Sequence, residues 1–140
     1  MKIAVRAIIL DGKKVLLVRH KNRDFFSLPG GKVDPDENLK TALRREMIEE
    51  LGVEIQNPKL KFIHEFRYPN AGEFSVEFFF IVKNAADFKN WKKSSHTDLE
   101  LAEISWKNFD DDFSIKPDFL REKFAKISEK SPIEYFESSK

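Results

Sequence analysis

The chain contains no cysteine. Disulfides, thiolate zinc sites and a cysteine nucleophile are thereby excluded, and the composition fits a reducing cytoplasm. Neither sign of charge dominates: 25 Lys plus Arg stand against 24 Asp plus Glu, a net charge of +1. No broad basic field points to nucleic acid as a partner. Long apolar runs are missing too. The most apolar block, Phe78 to Val82, is far too short to span a bilayer. The opening MKIAVRAIIL is interrupted by Lys2 and Arg6, unlike a secretory signal. No membrane partner is expected. No internal repeat, low-complexity tract or linker divides the 140 residues, so a single domain over residues 1–140 with one core is expected. The tail from about residue 128 is expected to fray.

What the chain does have is apolar residues, 41% of the total, and 14 phenylalanines, most of which must be core. IAVRAIIL and KVLLVRH are rich in β-branched residues and flank Asp11-Gly12, a hairpin signal. A polar, basic loop follows, then the tight turn SLPGGK. DPDEN suits a helix N-terminus, and the helix is expected over Leu39 to Leu51, stopping at Gly52. Two strands joined at PNAG come next, then a polar excursion, then the strand LAEISW. Phe119, Leu120, Phe124 and Ile127 approach helical spacing within KPDFLREKFAKISEK, which predicts a second helix. Strands, helix, strands, helix imply an α/β fold with a mixed sheet between helices.

REMIEELG, Arg45 to Gly52, places three glutamates within five positions. On a helix, Glu46, Glu49 and Glu50 share one face and repel one another. Glu49 and Glu50 also fall at the carbonyl end, where the helix dipole disfavours negative charge. No lysine follows Glu46 before Gly52, so something positive is expected against this face. Leu39, Ala42 and Leu43 lie on the same side nearer the start. One end of the helix therefore packs on the sheet while the other presents oxygen ligands at its rim. Oxygen-rich sites suit Mg²⁺ first and Mn²⁺ second, and Mg²⁺ commonly shares its site with substrate phosphates. The cluster points to diphosphate chemistry. Gly30 and Gly31 can bring backbone close to a metal or a phosphate. Arg45 has the planar fork to hold a carboxylate in one orientation. Taken alone, the glutamates also suit a solvated charged face.

GKVDPDENLKTALRREMIEELGV, Gly31 to Val53, resembles the signature of the Nudix hydrolases, G-x5-E-x7-R-E-U-x-E-E-x-G-U with U a bulky apolar residue. All nine constrained positions match: Gly31, Glu37, Arg45, Glu46, Met47, Glu49, Glu50, Gly52 and Val53. SLPGG before the motif and ELAEISW after it look like the family as well. The resemblance implies an α/β/α sandwich that hydrolyses a nucleoside diphosphate linked to a further group. It implies that Glu46, Glu49 and Glu50 bind Mg²⁺ with help from a carbonyl at Gly30 or Gly31, while Glu37 and Arg45 position them. Glu46, a neighbour or a loop acid takes the proton of the attacking water. Relatives often supply another metal-binding acid near Trp106, for which Glu100 is preferred to Glu103.

Arg19 and Arg23, in the basic group with His20 and Lys21, suit contact with substrate phosphates or else a solvated loop. Phe25, Phe26 and Phe66 are expected in the core rather than stacked on a base. His64 and His96 lack metal-site spacing. No long insertion separates the elements, so the pocket is expected between the sheet face, the loop around His20 to Phe26 and the segment after Trp106. A compact pocket beside a basic loop favours a nucleoside triphosphate, perhaps modified in its base, giving a monophosphate and pyrophosphate. ADP-ribose or a nucleotide sugar is the alternative. Pro69, sixteen residues beyond the motif, lies where some ADP-ribose-cleaving relatives carry a proline, although a plain hairpin turn accounts for it. A nucleotide-sensing module without turnover is the alternative of another class. A monomer and a homodimer are both open.

Overall fold

The computed structural model describes residues 1–68, 72–92 and 101–139. In chain order the elements are β1 (Lys2–Ile8), β2 (Leu10–Asp11), β3 (Lys14–His20), β4 (Gly30–Lys32), α1 (Leu39–Leu51), β5 (Lys59–Tyr68) and β6 (Glu73–Ile81). A 3₁₀ turn (Ala85–Asn90), β7 (Leu101–Asn108), a short helix α2 (Leu120–Lys123) and β8 (Glu134–Ser139) follow. A five-stranded sheet runs β4-β1-β6-β5-β8, and a three-stranded sheet runs β2-β3-β7. The larger sheet is mixed: β1 with β6 and β5 with β8 are parallel, and its other pairs are antiparallel.

The first strands differ from the simple hairpin. Only Leu10 and Asp11 pair with Val15 and Lys14, so the turn is Gly12-Lys13. β1 lies in the other sheet. Ile8 and Ile9 are both fully buried but belong to different apolar clusters. Side chains alternate across a strand, so one half-exposed hairpin cannot bury two neighbours. Crossing between sheets at this point buries both.

One apolar cluster joins Val5, Ala7 and Phe80 to Ala42, Leu43, Met47 and Leu51 of α1. The other joins Phe62, Phe79 and Leu17 to Leu28, Leu120 and Phe124. Fully burying an aromatic or large aliphatic side chain contributes about 1.5–3 kcal/mol, so these clusters hold the sheets and α1 together.

The C-terminal segment departs from the sequence pattern twice. The helix expected over KPDFLREKFAKISEK is regular only across Leu120–Lys123. Ser131 Oγ donates to the Ser128 carbonyl at 2.8 Å, and Ser128 Oγ accepts the Lys130 N–H at 3.2 Å. Such local bonds compete with a helical ladder. The tail expected to fray instead forms β8, parallel to β5. Its Phe136 ring stacks on Phe119 with centroids 3.9 Å apart, and this burial anchors the strand. Among the described residues no helix is long and apolar enough to cross a membrane.

Candidate active site

α1 begins and ends where local chemistry directs. Asn38 Oδ1 accepts the Thr41 N–H at 2.9 Å, an N-cap worth about 1 kcal/mol. Gly52 closes the other end in the left-handed region at φ 69°. The Lys92 N–H donates to the Leu51 carbonyl at 2.9 Å, relieving the carbonyl end that Glu49 and Glu50 crowd.

The positive group expected against the glutamates is Arg45. Its Nε donates to Glu37 Oε2 at 2.7 Å and its Nη2 to Glu37 Oε1 at 2.8 Å. Nη1 donates to Glu46 Oε1 at 3.0 Å and to Glu49 Oε2 at 3.3 Å. Nη2 also reaches the Lys32 carbonyl at 3.0 Å, tying the helix to β4. Glu37 accepts the Asp34 N–H as well, at 3.0 Å. The fork of Arg45, with the Asp34 amide behind it, holds the Glu37 carboxyl down at about 2. Glu37 most of all, and then Glu46, push Arg45 further up against its partial burial.

Glu46 behaves differently. Burial raises its carboxyl, and nearby Glu49 adds to the rise, against the pull of Arg45 and a hydrogen bond with Glu50. Glu50 is only 2% exposed. Gly30 has φ 150°, and a Cβ there would overlap the Val5 carbonyl oxygen. A Cβ on Gly31 would overlap the Glu46 carboxylate itself. Absence of that atom lets the loop backbone and the carboxylate share one small space. Charged oxygens gathered against bare backbone, with burial already opposing one charge, fit a hard divalent cation. Among the described residues no three acidic or imidazole side chains converge at ligating distance. Arg45 Nη1 sits between Glu46 Oε1 and Glu49 Oε2 in this structure.

A cleft of about 1230 Å³ opens on the other face of the larger sheet. Val5 and Ala7 pack toward α1, so the alternating Ala4 and Arg6 face the cleft, and both line it. The His20–Phe25 loop and the Lys116–Phe119 segment form its rims, and Lys32 of β4 borders it. Since Gly31 touches Glu46, the cleft and the carboxylate face meet at β4. Phe25 and Phe66 line the cleft, whereas Phe26 packs edge-on to Phe113, with centroids 6.0 Å apart. Only Phe26 among these three follows the core expectation. Arg23 also lines the cleft and lies 5.7 Å from the Phe25 ring. Arg19 instead donates to the Arg23 carbonyl at 3.1 Å and approaches Glu103 at 3.8 Å. Glu103 is further occupied by Ser105 Oγ at 3.1 Å. Glu100, Pro69 and His96 lie outside the described residues.

The NUDIX domain family model matches residues 1–126 of the chain. The chain belongs to the Nudix hydrolase family. This Nudix hydrolase is 36% identical over 102 residues to an 8-oxo-dGTP diphosphatase of Buchnera aphidicola, covering 71% of its own length and 73% of that protein. It is 42% identical over 62 residues to an ADP-ribose pyrophosphatase of Methanocaldococcus jannaschii, covering 42% of its own length and 35% of that protein. Among solved structures, a MutT Nudix hydrolase from Burkholderia pseudomallei has a TM-score of 0.71 at 21% identity, with 91% of this chain and 98% of the other covered. That likeness bears on the α/β/α fold. As a member of the family the chain is a Nudix pyrophosphohydrolase, acting on a small nucleotide.

Sequence reasoning assigned no role to four cleft residues of this Nudix hydrolase: Arg6, His64, which it dismissed as a metal ligand, Glu77 and Ser138. For the first three the available signal was a charged or polar residue inside an apolar strand, as in AVRAI, FIHEF and SVEFF, and Ser138 had none. Such residues are seldom buried unless partnered.

Proposed function

We propose that this Nudix hydrolase cleaves a nucleoside triphosphate, ribo or deoxy and plain or altered in its base, into the monophosphate and pyrophosphate. The observation that carries this reading is the meeting at β4 of an aromatic-walled cleft with the Arg45-centred carboxylate face. A base enters the cleft while its phosphates run past Lys32 toward Glu46. The relation to an 8-oxo-dGTP diphosphatase over 71% of the chain supports the same substrate class.

In this reading Glu46, Glu49 and Glu50, with a carbonyl of Gly30 or Gly31, hold Mg²⁺, for which Mn²⁺ can substitute. When bound, such an ion stabilises charge on the transferring phosphoryl group and acidifies the attacking water. Arg45 and Glu37 are positioning residues: the fork sets the rotamers of Glu46 and Glu49 through direct hydrogen bonds. Arg23 contacts the phosphates from the cleft rim. Arg19 acts through the loop it ties. Glu100 serves as a further acid beside the metal. Water adds across one phosphoanhydride bond, the bridging P–O bond breaks, and pyrophosphate leaves.

The deciding experiment is a substrate panel with Mg²⁺, read by phosphate and pyrophosphate release. Pyrophosphate from triphosphates is the expected result. AMP and ribose phosphate from ADP-ribose, with triphosphates left intact, would move the assignment to the other substrate class. Binding of nucleotides without turnover would make the chain a sensing module.

A further inference from the structure

The floor of the cleft carries a polar chain of contacts beside several phenylalanines. Arg6 Nε donates to Glu77 Oε2 at 3.1 Å, and Arg6 Nη1 donates to the Leu28 carbonyl at 3.3 Å. His64 Nδ1 lies 3.1 Å from Glu77 Oε1, and its Nε2 lies 2.8 Å from Ser138 Oγ. An ionised carboxylate only accepts, so the proton in the first contact sits on Nδ1. His64 is 1% exposed and serves as a buried support. Glu77 keeps 20% of its side chain exposed, and that part faces the cleft. Burial pushes its carboxyl up, but His64 and Arg6 together outweigh burial and hold it below the ordinary range. The result is a charged, oriented carboxylate, held from behind by one donor on each oxygen.

A carboxylate offers about four acceptor positions, and the two described donors leave the cleft side of Glu77 ready for a ligand's N–H groups. Phe25, Phe66, Phe119 and Phe136 surround the same space. A planar heteroaromatic ring entering among them stacks on apolar faces and turns one edge toward Glu77. Asp118 also borders the cleft, but it is 82% exposed and paired with Lys116 at 3.1 Å. Discrimination by hydrogen bonding is strongest where water is excluded, which favours Glu77 over Asp118.

We propose that Glu77 is the base-reading residue of the cleft and selects a base that presents two adjacent N–H donors, the guanine-type edge. Guanine offers N1–H beside its N2 amino group, matching the two oxygens of one carboxylate. Adenine places the N1 lone pair there, and cytosine places the lone pairs of N3 and O2. Uracil and thymine offer one N–H between two carbonyls. Each of these sets an acceptor against a fixed negative charge. A guanine oxidised at C8 keeps the same donor edge. The inference rests on the nucleotide reading above.

The test compares kcat/KM for guanosine, inosine, adenosine and cytidine triphosphates with Mg²⁺. Inosine differs from guanosine only by the missing N2 amino group, so it removes one donor without altering the protein. Guanosine should exceed inosine at least about tenfold, because a site built around a hydrogen bond rejects the analogue that lacks it. Glu77→Gln should erase that lead, chiefly through KM. Triphosphate cleavage with no guanosine preference, or with a preference unchanged by Glu77→Gln, would overturn the inference while leaving the functional reading intact. Calorimetric binding of guanosine and inosine monophosphates reads the base pocket without turnover. Equal affinities there, or a guanosine lead that Glu77→Gln leaves intact, would overturn the inference even if triphosphates proved not to be substrates, and tighter guanosine binding that is lost in Glu77→Gln would uphold it.

Discussion

Arg45 grips Glu37 through two parallel hydrogen bonds, Nε to Oε2 at 2.7 Å and Nη2 to Oε1 at 2.8 Å. The remaining Nη1 is thereby aimed at Glu46 and Glu49. Lysine carries one point charge and no fork. Arg45→Lys should therefore lower turnover about 10–100-fold, the range seen when supports of metal ligands are removed. It should also lower the thermal midpoint. Kinetics and a melt of the same preparation check both, and a normal kcat would remove Arg45 from the positioning role.

Glu49→Gln and Glu50→Gln should each reduce turnover on the order of a hundredfold with the fold intact, since each loses a charge that serves the transition state. Chelation should abolish wild-type activity, and Mg²⁺ or Mn²⁺ should restore it. In metal-free buffer Glu50→Gln should melt at or above the wild type. It places an uncharged amide at a buried position beside Glu46. Near-normal rates in either variant would remove that carboxylate from the metal site.

The pH dependence of stability has a definite sign. The Glu37 carboxyl is depressed from its ordinary 4.5 to about 2 on folding, so the folded state favours its ionised form. Its contribution is complete above the unfolded value and is lost as pH falls from 4.5 toward about 2. Glu77 is depressed as well and adds loss of the same sign. Urea midpoints in metal-free buffer should fall steeply across that window for the wild type, and less steeply for Glu37→Gln. Identical slopes would show that the Arg45 fork does not act on the Glu37 proton equilibrium.

The two glycines of β4 should separate stability from activity. Gly30→Ala places a Cβ against the Val5 carbonyl at φ 150°, a backbone strain of about 1–3 kcal/mol, and should mainly destabilise. Gly31→Ala presses on the movable Glu46 carboxylate and should mainly reduce kcat. Denaturant melts and initial rates on both variants give the comparison. Equal effects on both quantities would contradict it.

Arg19 and Arg23 lie in one basic loop but face different surroundings. Arg23→Ala should raise KM several-fold for triphosphates with little change in the melt, because Arg23 borders the cleft. Arg19→Ala releases the Arg23 carbonyl and the approach to Glu103, so it should lower the thermal midpoint as well. Steady-state kinetics with a melt distinguish the two. If Arg23→Ala left KM unchanged, the phosphates would not pass that rim.

The limits of α1 were legible in the sequence because their causes are local. Asn38 caps the N–H of a residue three positions on, and Gly52 ends the helix by its own backbone conformation. The sharing of one face by Glu46, Glu49 and Glu50 follows from helical geometry alone, and the spacing of Glu37 and Arg45 within the motif pointed to their alliance. The meeting of Gly31 with Glu46 was foreshadowed only as close backbone approach, since the sequence cannot say which side chain arrives.

Other features depended on which distant segments pair. The crossing between sheets at Ile8 and Ile9 follows from burying adjacent side chains on opposite sides. β8 is ordered because Phe136 finds Phe119 and because β5 offers an edge. Arg6 reaches Glu77 across 71 positions, and His64 reaches Ser138 across 74. In the sequence Arg6, His64 and Glu77 are polar residues among apolar ones and Ser138 lies in a polar tail, with nothing local to name their partners. The sequence by itself determined the helix, its caps and its carboxylates, because hydrogen bonds and periodicity act within a few residues. Tertiary structure alone decided the polar floor of the cleft, because only strand pairing brings those four side chains together.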